Sequence, residues 1–105
     1  MSTSRNSFIF GGPSDDFIEG GTGFNLFVGG GGADIFVISK SEYPAIVEDF
    51  ELGVDKLGIR DFRFEDLAFS QDQRDSLISH EGHSIARIIG VSVGDLATKT
   101  NFIVL

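Results

Sequence analysis

"GGPSDDFIEGGTGFNLFVGGGGADIFV" (Gly11–Val37) holds nine of the chain's fourteen glycines. Three readings compete for such a tract: a flexible linker, a phosphate-cradling loop, or a structure that needs glycine at fixed positions. Cut at each Gly-Gly pair, it divides into GGPSDDFIE (11–19), GGTGFNLFV (20–28) and GGGGADIFV (29–37), three units of nine residues without slippage. Each unit opens on two glycines and closes on a short run containing large apolar side chains. Position six reads Asp16, Asn25, Asp34, and position eight reads Ile18, Phe27, Phe36. The preceding "STSRNSFIF" keeps the closing run, with Ile9 at position eight, but has lost the glycines.

A linker carries no large apolar residue at a fixed interval, so the period excludes it. No lysine follows the glycines as a P-loop requires, and no G-x-G-x-x-G opens a helical pattern, which removes the nucleotide readings. What remains is a repeat. Glycine suits a turn over the first six positions because it tolerates positive φ. The last three make a short strand whose middle side chain points inward. The inward series Ile9, Ile18, Phe27, Phe36 then forms a core.

The units resemble G-G-x-G-x-D-x-U-x, the calcium-binding nonapeptide of the RTX (repeats-in-toxin) family. The resemblance implies an all-β chain: a short right-handed parallel β-roll over 8–37, capped by a C-terminal antiparallel β segment over 38–105, in a single domain. It also implies Ca2+ held between stacked turns two repeats apart. Calcium prefers six to eight hard oxygen ligands, which turn carbonyls and carboxylates supply together. On that pattern Asp16 and Asp34 face one ion, with carbonyls expected from Gly12, Ser14, Gly29 and Gly31. Asn25 marks a weaker second site on the opposite edge, where the segment before it offers Ser7.

"IVEDFELGVDKLGI" (46–59) resembles the stretch that follows the last repeat in RTX proteins and serralysin-type C-terminal domains. There the chain leaves the roll for an antiparallel cap. Asp49 or Asp55 would give a carboxylate to the last turn, or else serve as a surface charge and a turn residue after Gly53. "RFEDLAFSQ" reads as one helical turn followed by a strand, and "DSLISHEGHSIARIIG" as a hairpin around Glu81-Gly82. Ser92 with Asp95 fits a capping box before Leu96. "NFIVL" (101–105) makes a last strand. It also resembles the polar-then-apolar ending of type I secretion substrates, with Asn101 where aspartate is common.

Composition narrows the partners. Sixteen acidic side chains against eight basic ones leave a net charge of −8, which disfavours nucleic acid and anionic lipid. The same charge suits a cation ligand or serves solubility. No apolar run is long enough for a membrane-spanning helix. Without cysteine, disulfides, zinc–thiolate sites and thiol catalysis are excluded.

His80 and His83 flank Glu81-Gly82, where exposed turn residues explain them better than zinc, because the zincin motif needs histidines four apart on a helix. No G-x-S-x-G surrounds Ser76 or Ser79. Phe8, Phe10, Phe62, Phe64 and Phe69 read as packing side chains rather than a sugar platform. The resulting expectation is a non-enzymatic, secreted calcium-binding module that folds in calcium after passing a type I ABC exporter. A carbohydrate-binding accessory module acting on polysaccharide is the alternative, and a small secreted enzyme a weaker one. The open edge of the first coil leaves self-association as a further expectation.

Overall fold

A computed structural model describes residues 7–19, 24–39 and 44–105. Ten strands dominate them: β1 (Ser7–Phe10), β2 (Phe17–Glu19), β3 (Asn25–Val28), β4 (Ile35–Ile38), β5 (Ala45–Val47), β6 (Lys56–Ile59), β7 (Leu67–Asp72), β8 (Asp75–His80), β9 (His83–Ile88) and β10 (Phe102–Val104). One short helix, α1 (Val93–Leu96), lies between β9 and β10. The chain is all-β in class. Six strands form one sheet in the order β1-β3-β5-β9-β8-β7, and four form the other in the order β10-β6-β4-β2.

The nine-residue period becomes register. Ser7 lies opposite Asn25 and Phe17 opposite Ile35, with parallel pairing in both cases. Each offset is eighteen residues, two sequence units, so consecutive strands alternate between the two sheets. Position eight of every unit points between them. Ile18, Phe27 and Phe36 are buried and Ile9 is partly buried against them. Phe27 and Phe36 stack with ring centroids 6.3 Å apart, and Phe36 meets Phe50 at the same distance.

The parallel ladders do not stop at residue 37. β5 pairs with β3 and β6 with β4, both in parallel, at offsets of twenty and twenty-one residues (Leu26 opposite Ile46, Ile35 opposite Lys56). The antiparallel cap expected from 46–59 therefore begins later, and among the described residues antiparallel pairing is confined to β7, β8 and β9. The physical reason is that β5 and β6 still present inward apolar residues, Val47 and Leu57, after the glycine spacing is gone. β9 and β10 also join the parallel ladders, beside β5 and β6.

Of the remaining local readings, the helical turn, the hairpin and the last strand hold, and the capping box does not form. A 3-10 turn at Phe64–Asp66 precedes β7. β8 and β9 are joined through Glu81 and Gly82 at φ 51° and 82°, a two-residue loop of the type that matches strand twist. Ser92 precedes α1, although its hydroxyl bonds the Asp95 carboxylate at 3.0 Å rather than a backbone amide. The terminal strand is docked. Asn101 is buried, its amide donating to the carbonyls of Asp95 and Leu96, and Phe102 packs edge-on to Phe64 and Phe69.

Candidate metal centre

Three turns stack along one edge of the two sheets: 11–16 between β1 and β2, 29–34 between β3 and β4, and 48–55 between β5 and β6. Stacking at strand spacing leaves no room for a side chain at Gly30 or Gly32. Gly30 and Gly32 adopt φ of 78° and 79°, and a Cβ on Gly32 would lie 2.6 Å from the Ser14 carbonyl carbon. A Cβ on Gly30 would strike the Gly12 carbonyl oxygen. Glycine is required there twice over, by backbone conformation and by contact.

The first two turns are tied by backbone-to-carboxylate bonds. The amide of Asp16 donates to Asp34 Oδ1 at 3.0 Å, and the amide of Ala33 donates to Asp15 Oδ1 at 2.7 Å. Asp34 is 1% exposed. Its Oδ2 and that of Asp16 are buried without a hydrogen-bond partner. Such atoms are costly unless something else compensates them. Burial raises the Asp34 pKa from 3.8 to about 6. The Asp16 amide opposes this shift, and the charges of Asp55 and Asp16 add to it.

Oxygens of different turns converge beside the Gly11 Cα. A Cβ there would sit 2.5 Å from Asp16 Oδ2 and 2.7 Å from the Gly29 carbonyl oxygen. Asp34 Oδ2 occupies the equivalent space beside Gly29, close enough that a Cβ would collide with it. The donors are hard oxygens, anionic and neutral together, the chemistry a calcium ion takes. Among the described residues no three His, Asp or Glu side chains gather as a metal cluster. Any ligand set here must draw on backbone carbonyls, as a turn-built site does. The residues present fit a calcium ion.

The other expected ligands separate into groups. The carbonyls of Gly12 and Ser14 lie over Gly30 and Gly32, and Gly31 sits beside the Pro13 carbonyl. Asn25 is buried at the start of β3 on the opposite edge, and residues 20–23 of its turn lie outside the described residues. Asp49 and Asp55 do reach the last turn of the tract, as amide acceptors. Asp49 takes the amides of Gly29 and Gly30 at 2.8 and 2.9 Å. Asp55 takes those of Asp34 and Glu51, both at 2.9 Å.

Asp15 was not anticipated, and the only sequence signal for it is the doubled aspartate at 15–16. The histidines do not join this centre. His80 packs edge-on to Phe62 at 4.8 Å and stands opposite His83 across the β8–β9 hairpin.

Comparison with protein families agrees with the geometry. The family model of the RTX calcium-binding nonapeptide repeat, in four copies, matches residues 5–37. The tract is similar to an RTX repeat over those residues, about a third of the chain. RTX nonapeptide repeats bind calcium, so the ion implied by the orphaned oxygens is also the ion of the repeat class. No curated protein matches the chain. The RTX match covers the first two stacked turns and stops before the third, where Asp49 and Asp55 lie.

Proposed function

We propose that the chain is a non-enzymatic, secreted RTX module, a short right-handed parallel β-roll with a C-terminal β cap, in which calcium promotes folding after type I export. One observation carries the reading: Asp34 Oδ2, buried and unpartnered, lies in a turn stacked directly on that of Asp16. Asp16 and Asp34 would hold the ion with the carbonyls of Gly12, Ser14, Gly29 and Gly31. When bound, the ion supplies the positive charge that two adjacent carboxylates, each with a buried oxygen, lack.

The protein's own residues set the direction of the switch. At sub-micromolar calcium the neighbouring carboxylates of Asp16 and Asp34 repel one another, and the first coil loses stability. An extracellular-type site with Kd on the order of 10⁻⁴ to 10⁻³ M stays empty in such a cytosol and fills outside the cell. Binding then couples to folding, because the unfolded chain has no preformed site. The terminal segment 101–105 is read as an export signal that is presented before β10 docks against β6.

Calorimetric titration with calcium tests the reading, with an Asp16→Ala/Asp34→Ala double variant as the control. Wild type should bind and gain melting temperature in millimolar calcium, and the variant should do neither. A wild-type melting temperature indifferent to calcium would sink the proposal. Fusion of residues 38–105 behind a passenger tests export separately.

A further inference from the structure

The two sheets end together at the first coil. Among the described residues β1 is the outer strand of the six-stranded sheet and β2 the outer strand of the four-stranded one, each with one ladder edge unpaired. Open edges are ordinarily guarded by charge, proline or a bulge. Here β1 reads SFIF without a charge, β2 reads FIE with its one charge, Glu19, bonded to Arg60, and their phenylalanines face out: Phe8 is 61% exposed, Phe10 68% and Phe17 55%. Phe8 and Phe10 lie with ring centroids 5.1 Å apart. The outer face continues inward through Leu26 and Val28, which pair with them.

We propose that this end is a homodimer interface, in which a second copy of the chain docks head to head across a two-fold axis. An axis normal to both sheets pairs β1 with the partner's β1 and β2 with the partner's β2, each antiparallel. Both ladders are extended in one step. The arrangement is isologous and closed, as most soluble dimers are. It sets the exposed phenylalanines of β1 against their own counterparts, the cross-strand aromatic pairing that stabilises sheets.

Area favours this occupant. A phenylalanine offers about 150–250 Å², so the three exposed rings contribute roughly 350 Å² per copy. Burying them on both copies would remove roughly 700 Å², so the two ladder edges need add only about a third of the roughly 1,000 Å² that a specific interface needs. The two-fold reverses strand direction, so the acidic turn 11–16 of one copy meets the partner's opposite edge, where Glu19 is already paired with Arg60 at 2.8 Å. A parallel head-to-tail stack would require the far end to match. That end carries β7, from the antiparallel hairpin, and β10.

Sedimentation equilibrium from roughly 1 to 100 µM, in about 1 mM calcium, tests the interface. Wild type should pass from one chain to two within that range. The Phe8→Lys/Phe10→Lys variant should weaken association at least tenfold. Val104→Lys, an exposed position on the edge strand at the far end, should leave it unchanged. Thermal melts establish that each variant is folded. A single-chain mass for folded wild type at every concentration overturns the proposal. So does a dimer that survives Phe8→Lys/Phe10→Lys, or one that Val104→Lys removes.

Discussion

Two interfaces between stacked turns lie side by side in this molecule, built from the same residue types and closed in different ways. Between turns 29–34 and 48–55, Asp49 and Asp55 each accept two backbone amides, one on each carboxylate oxygen. Between turns 11–16 and 29–34, Asp15 and Asp34 each accept one cross-turn amide, and Oδ2 of both Asp16 and Asp34 is left buried with no hydrogen-bond partner. The first interface is satisfied by the chain itself. The second leaves two buried carboxylate oxygens without a partner. On the proposed reading a stack of similar turns thus divides into a metal-independent floor and a metal-dependent upper step, and the division falls where the glycine repeat ends.

The largest effect should come from breaking the floor. Asp55→Ala removes a buried acceptor shared by the amides of Asp34 and Glu51. Stranding buried donors costs about 1–3 kcal/mol each, so a loss of about 2–5 kcal/mol is expected. Denaturant unfolding should give the same loss with calcium and with chelator. A loss that appears only in calcium would place Asp55 in the metal site and erase the distinction.

Next comes Asp34→Asn, which keeps an acceptor for the Asp16 amide but removes the charge. The variant should be more stable than wild type without calcium, since a desolvated carboxylate is neutralised. It should also lose the calcium-linked gain, about 2.7 kcal/mol at a hundredfold excess over Kd. Paired melts with calcium and with chelator read both signs. A variant less stable than wild type in chelator would show that Asp34 is not strained in the metal-free fold.

The same residue gives the metal-free protein a pH dependence of defined sign. Asp34 has a folded pKa of about 6 against an ordinary 3.8. Below 3.8 both folded and unfolded states hold the proton. Between 3.8 and about 6 only the folded state does, so this group's contribution to stability falls as pH rises through that window. In chelator, wild type should therefore lose stability over that range relative to Asp34→Asn. Parallel wild-type and variant curves would remove the support for a buried, unpaired carboxylate.

How much of this was legible in the sequence follows from what carries each signal. The nine-residue period could be read because glycine pairs and inward Ile18, Phe27 and Phe36 recur, and the RTX resemblance implied stacking two repeats apart, the eighteen-residue register observed. The Glu81-Gly82 hairpin could be read because the loop demands positive φ. The continuation through β5 and β6 could not, since offsets of twenty and twenty-one break the period while inward burial persists. Asp49 and Asp55 were visible as carboxylates near the last turn. Their pairing with amides was not, because an aspartate that closes a turn and one that binds a metal are spelled alike. Asn101 looked like part of an export tail, and only the fold places its amide against the carbonyls of Asp95 and Leu96.

The smallest predicted effect probes the one tie the upper step makes in the opposite direction. Asp15 Oδ1 reaches from the first turn to the Ala33 amide of the second, at an exposed position. Water can replace an exposed acceptor, so Asp15→Ala should cost about 1 kcal/mol and no more. Because Asp15 holds the two turns in register without belonging to the orphaned pair, the loss should appear as weaker calcium affinity with unchanged stoichiometry. Asp15→Asn, which keeps the acceptor, should restore the affinity. Titration calorimetry separates the quantities: a change in the number of ions bound, or no rescue by asparagine, would make Asp15 a ligand in its own right and move the boundary of the metal-dependent step.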